Sequence, residues 1–204
     1  DARDGSGVLE IEPRKISVKA SVFPFQKLRG VDSILGPEMK STGEVMGIDL
    51  DFGAAYYKAM VASGNPLPLK GTVYFSVRDE DKPKILDMAW SLKEMGFKIV
   101  ASAGTAAFLK SNGVEVSLVH KLSEHTSPDA IDLMRKGEIK LVVNTPKDEP
   151  EYGMESRKDG YQMRRLAVDM GIPFITTISA AKAAVGAIAA AKRKNLDVER
   201  LSAK

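Results

Sequence analysis

Ala101-Ser102-Ala103-Gly104-Thr105-Ala106-Ala107-Phe108-Leu109 directly follows Gly96-Phe97-Lys98-Ile99-Val100. The second stretch reads as a short buried strand, and the first as a small-residue loop running into a helix. Such a junction sets hydroxyls and bare backbone N–H groups at a helix N-terminus. That end carries unpaired donors and a partial positive charge, so it suits a phosphate or a carboxylate.

On the C-terminal side of Leu67 the same strand-to-helix step recurs. Gly71 to Val77 reads as a strand, followed by a helix with Ile85, Met88, Ala89, Leu92 and Met95 on one face. Val114 to Val119 reads as a strand. Ser127 is read as the cap of the next helix, with Pro128 at its first position. Leu141 to Asn144 and Ile172 to Thr176 read as strands. Tyr161 to Met170 and the Ala-rich run Ala180 to Lys194 read as helices. Five short apolar strands separated by helices predict an α/β fold with a parallel sheet covered on both faces. The first third lacks this alternation. Ile16 to Phe23 reads as a strand, Gly30 to Gly47 as a loop with four glycines and two glutamates, and Phe52 to Val61 as a helix. These pieces do not enclose a core alone, so the expected division is 1–66 as an appendage and 67–204 as the main domain.

Composition narrows the function. The chain has 204 residues, 44% of them hydrophobic and 28% charged, ordinary for a globular protein. A net charge of +3, with no basic run or RNA-binding aromatic signature, argues against a nucleic-acid partner. With no cysteine there is no disulfide, thiolate metal site or thiol nucleophile, which fits a reducing compartment. No apolar run approaches the ~20 residues of a membrane span, and the polar start Asp1 to Gly7 does not read as a signal peptide. There is no phosphate-loop, dinucleotide or nucleophile-elbow motif. His120 and His125 lack partners at metal-ligand spacing. Asp79 and Asp81 are read as serving the first turn of the helix that follows them.

In an open parallel sheet, ligands sit outside the carboxyl ends of the strands. Every strand exit here carries a polar group: Lys82 after the first, Ser102, Gly104 and Thr105 after the second, His120 and Lys121 after the third, Asn144 and Thr145 after the fourth, Thr176 and Thr177 after the fifth. Each also has a plainer use. Ser102 and Thr105 could cap a helix, Asn144 could serve a turn, and the lysines could be solvated. Lys82 near a helix start is the odd one, because the helix dipole disfavours a cation there.

Leu35-Gly36-Pro37-Glu38-Met39-Lys40-Ser41-Thr42-Gly43-Glu44-Val45-Met46-Gly47 and Val22-Phe23-Pro24-Phe25 resemble the closing segment of the second ATP-grasp half of carbamoyl-phosphate synthase large subunits. Ser76-Val77-Arg78, Ala101 to Leu109, Val143-Asn144-Thr145-Pro146, Tyr161-Gln162-Met163-Arg164-Arg165 and Ile172 to Thr177 resemble that subunit's allosteric domain, of the methylglyoxal-synthase-like superfamily. The resemblance implies a Rossmann-like domain preceded by a partial ATP-grasp tail. It implies a cytoplasmic enzyme that makes carbamoyl phosphate for pyrimidine and arginine biosynthesis, using ATP with magnesium or manganese. Its partners would be the other ATP-grasp domains, a glutaminase small subunit and further copies of itself. This chain would lack the catalytic machinery and hold no cofactor. It would bind UMP or IMP through Lys82, Ser102, Gly104, Thr105, Lys121, Asn144 and Thr145, with Thr176 at a possible ornithine site. Ser102 stands where relatives often have Thr, Pro146 where some have a second Thr, and Phe174 where a tyrosine is usual. Two alternatives stay open: a methylglyoxal-synthase-type lyase, which shares the phosphate loop, and an oligomerisation module.

Overall fold

A computed structural model describes residues 14–27, 37–120, 127–145 and 154–193. Seven strands and six α-helices follow in the order β1 (Ile16–Val22), β2 (Gly43–Asp49), α1 (Phe52–Ala62), β3 (Thr72–Ser76), α2 (Leu86–Glu94), β4 (Lys98–Ala101), α3 (Ala103–Ser111), β5 (Ser117–Leu118), α4 (Ala130–Arg135), β6 (Ile139–Asn144), α5 (Met154–Met170), β7 (Phe174–Ile175) and α6 (Ile178–Arg193). Two 3-10 turns, Asp79–Asp81 and Pro83–Ile85, lie between β3 and α2. The main sheet is the expected five-stranded parallel one, in the order β5-β4-β3-β6-β7. The order reverses at β3, so β3 lies at the centre and its carboxyl end opens onto a topological switch point.

Alternation along the central strand divides the core. Val73 and Phe75 face a cluster built with α1, α2, α3 and α6, while Tyr74 faces a second cluster built with α4 and α5. In β6, Leu141 and Val143 join the first cluster, whereas Ile139 and Val142 join the second. Ile139 and Val142 are three apart and would point to opposite faces of a regular strand. The register against β3 skips Lys140, which resets the alternation. Gly71, at φ +118, lies beside this skipped residue; a Cβ there would come within 2.6 Å of Lys140 Cγ.

The N-terminal third differs from the sequence expectation. Gly43 to Gly47, read as part of a loop, begins β2, which pairs antiparallel with β1 from Ile16↔Asp49 to Val22↔Gly43. Glycine ordinarily weakens a strand, but Gly47 is required by what lies over it. A Cβ at Gly47 would fall 2.1 Å from the Ala55 carbonyl oxygen and 2.5 Å from the Ala59 nitrogen, so β2 and α1 meet backbone to backbone. Helix α1 in turn lies on α6, where a Cβ on Gly53 would fall 2.7 Å from the Gly186 carbonyl oxygen. The buried alanines 181, 184, 187 and 190 of α6 make that approach feasible. Tyr57 of α1 belongs to the main core, and its hydroxyl donates to the Leu67 carbonyl at 3.1 Å.

Other boundaries shift for local reasons. α4 begins at Ala130 rather than behind Ser127, because Asp129 and Asp132 form a reciprocal capping box. Only Ser117–Leu118 of the predicted third strand, and Phe174–Ile175 of the predicted fifth, pair in the ladder.

One ion pair ties α1 to the hairpin. Lys58 Nζ lies 2.8 Å from Asp49 Oδ2 and donates to the Ile48 carbonyl at 3.1 Å. The Lys58 hydrogen bond outweighs burial and holds the Asp49 carboxyl at about 2, below its ordinary 3.8. Asp49 is therefore worth about 2 kcal/mol above its unfolded pKa, and that stability disappears as pH falls through the folded value. Urea unfolding of Asp49→Asn against the wild type is expected to show this gap at pH 7 and a much smaller one near pH 2. Gly47→Ala must push α1 off β2 and is expected to cost about 3 kcal/mol, measured the same way.

Candidate functional site

Past the end of its ladder, the central strand still carries backbone donors and acceptors that need partners. Side chains from β6, from the residue after it and from α3 supply them. From β6, Asn144 Nδ2 donates to the Ser76 carbonyl at 3.0 Å. From α3, the Thr105 hydroxyl accepts from Val77 N–H at 3.3 Å and lies 3.5 Å from the Val77 carbonyl. From beyond β6, the Thr145 hydroxyl accepts from Arg78 N–H at 3.1 Å. Ser102, Thr105 and Thr145 are all buried.

The loop entering α3 is built as its sequence suggests. Ser102 sits in extended backbone at the N-cap position, but its side chain caps nothing. Its hydroxyl instead points to Thr105 Oγ1 at 3.4 Å. These hydroxyl contacts are at the long end of hydrogen bonding, so exchanging them for a stronger acceptor costs little.

Lys82 completes the arrangement from the other side. A Cβ on Gly104 would come within 3.1 Å of Lys82 Nζ, so the ammonium lies against the first turn of α3. No larger residue would leave that space. Lys82 Nζ also pairs with Asp79 Oδ1 at 2.6 Å. The lysine side chain is only 18% exposed and is thus held in place, not free in solvent.

Asp81, read from sequence as serving a helix start, has a different role. Its carboxylate is buried and receives Arg78 Nε at 2.7 Å and Lys84 Nζ at 2.9 Å. Burial pushes its pKa up, but hydrogen bonds from Lys84, Arg78 and Thr145 prevail and hold it below the ordinary carboxylate value. Asp81 thereby clasps the turn bearing Lys82 to the exit of β6. The sequence shows an acid with a base three residues to either side, which allows the two ion pairs but does not show that the acid is buried.

The structure thus brings Lys82, Ser102, Gly104, Thr105, Asn144 and Thr145 around the carboxyl end of β3. Lys121, with Pro146 and His125, lies outside the described residues. Thr176 follows β7, the edge strand next to β6. His120 is half-buried, and its backbone bridges to Asp129. Among the described residues no three His, Cys, Asp or Glu side chains gather as a metal site, and no helix is long and apolar enough to cross a membrane. The arrangement offers a cation, helix N–H groups and hydroxyls around the end of one strand, which is chemistry for holding an anion.

A family model described as the MGS-like domain matches residues 84–176. The carbamoyl phosphate synthase large chain, C-terminal section, of Methanocaldococcus jannaschii is 52% identical over 93% of this chain and 30% of its own length. The carbamoyl phosphate synthase large chain of Methanoculleus marisnigri is 52% identical over 96% of this chain and 18% of its own length. Among solved structures, methylglyoxal synthase from Elizabethkingia anophelis NUHP1 aligns with a TM-score of 0.40 and 17% identity, over 57% of this chain and 76% of that one. The chain spans less than a third of either carbamoyl phosphate synthase relative. Residues 84–176 thus match the MGS-like domain model, and nearly the whole chain is similar to part of the carbamoyl phosphate synthase large chain.

Proposed function

We propose that this chain is the nucleotide-sensing regulatory part of a carbamoyl phosphate synthase large chain, binding UMP or IMP at the carboxyl end of β3. The observation that carries the reading is the position of Lys82, whose ammonium rests against Gly104 in the first turn of α3. A cation and a helix N-terminus repel each other unless an anion lies between or beside them. A phosphate would take the backbone N–H groups of the α3 turn, the Ser102 hydroxyl and the Lys82 ammonium. Asn144, on the next strand over, would face the ribose or base.

Catalysis would belong to the rest of the large chain, with its ATP and divalent metal, and this part would act by linkage. A nucleotide that contacts two domain arrangements differently shifts the equilibrium between them by its difference in affinity.

Calorimetric titration of UMP and IMP into the chain tests the reading. Binding in the micromolar to millimolar range is expected for at least one of them, and no heat from either at millimolar ligand would overturn it. Lys82→Ala is expected to weaken the nucleotide by about tenfold or more and to leave the uncharged nucleoside unchanged. Gly104→Ala should keep the fold, since its new methyl meets only the flexible tip of Lys82, yet it should weaken the nucleotide severalfold by moving that tip.

A further inference from the structure

We infer that Asp79 is a built-in competitor of this site, an internal anion that occupies the Lys82 ammonium and sets how tightly an incoming phosphate binds. The inference rests on the phosphate-site reading above and concerns the control of the same cleft.

The geometry follows from the turn. Asp79 and Lys82 stand three apart on a 3-10 turn, with Lys82 N–H donating to the Asp79 carbonyl at 3.3 Å. Residues three apart on such a turn eclipse one another, which brings Asp79 Oδ1 to 2.6 Å from Lys82 Nζ. The two ends of the pair are unequal. Lys82 is 18% exposed and lies against α3, whereas Asp79 is 75% exposed. The ammonium, facing the positive end of α3, needs an anion, and Asp79 provides one.

A phosphate entering the cleft needs the same ammonium. It must displace the carboxylate and then tolerate a like charge beside it. An exposed carboxylate holds its partner only weakly, because water and salt screen the pair. A phosphate that also gains helix N–H groups therefore wins, but with reduced affinity. The other nearby acids are placed differently. Glu80 is 78% exposed and reaches only Arg78, at 3.9 Å, and Asp81 is engaged by Arg78 and Lys84. The effect is thus specific to one of three consecutive acidic residues.

Asp79→Asn keeps size and turn backbone while removing the charge, and Glu80→Gln removes an equal charge from the adjacent position. UMP and inorganic phosphate are titrated by calorimetry into wild type, Asp79→Asn, Glu80→Gln and Lys82→Ala. Asp79→Asn is expected to tighten both probes by about three- to tenfold, and Glu80→Gln to change them by less than about twofold. Equal gains from the two variants would overturn the inference, since the general field of the acidic run would then suffice. If Lys82→Ala weakens binding but Asp79→Asn leaves it unchanged, the competitor role falls and the phosphate site stands. If neither the wild type nor Asp79→Asn binds either probe, both fall together.

Discussion

The structure depends on how the central strand ends. β3 is flanked on both sides by parallel neighbours, and its backbone runs on past the last rung of the ladder. Polar backbone groups in such a place must be paired. Here the pairing continues through side chains: Asn144 to Ser76, Thr105 to Val77 and Thr145 to Arg78. The residues that satisfy the strand exit are thereby fixed in place around it.

Charge placement at that exit follows a similar logic. Three acids and three bases fall within Arg78 to Lys84, and the fold sorts them by burial. Asp81 is taken inside and paired with two bases, so the turn is anchored. Lys82 is left leaning on α3, with Asp79 as its exposed counterion. A buried, doubly paired carboxylate holds geometry, while a largely sheltered ammonium keeps an exposed counterion.

The N-terminal hairpin and α1 show the steric side of the same economy. Gly47 against α1, and Gly53 against α6, remove side chains where two backbones must meet. Tyr57 then reaches the core beneath the main sheet, tying α1 to it.

Much of this was legible from residues alone. The apolar runs and their helical spacing specified a five-stranded parallel sheet, because period and burial are properties of local pattern. That polar residues at several strand exits would lie near one another was also legible, because chain direction in a parallel sheet places all exits at one end. The role of Gly47 was not legible, since glycine weakens a strand locally and only the helix across from it explains its presence. Nor was the inward turn of Asp81, because sequence shows charges in a row but not which of them is shielded from water. Local pattern thus determined the elements and the end of the sheet at which the polar exits collect. Tertiary packing decided which strand is central, which carboxylate is buried, and that Lys82 and Gly104, twenty-two positions apart, lie against each other. Those outcomes depend on distances across the fold, which no spacing along the chain encodes.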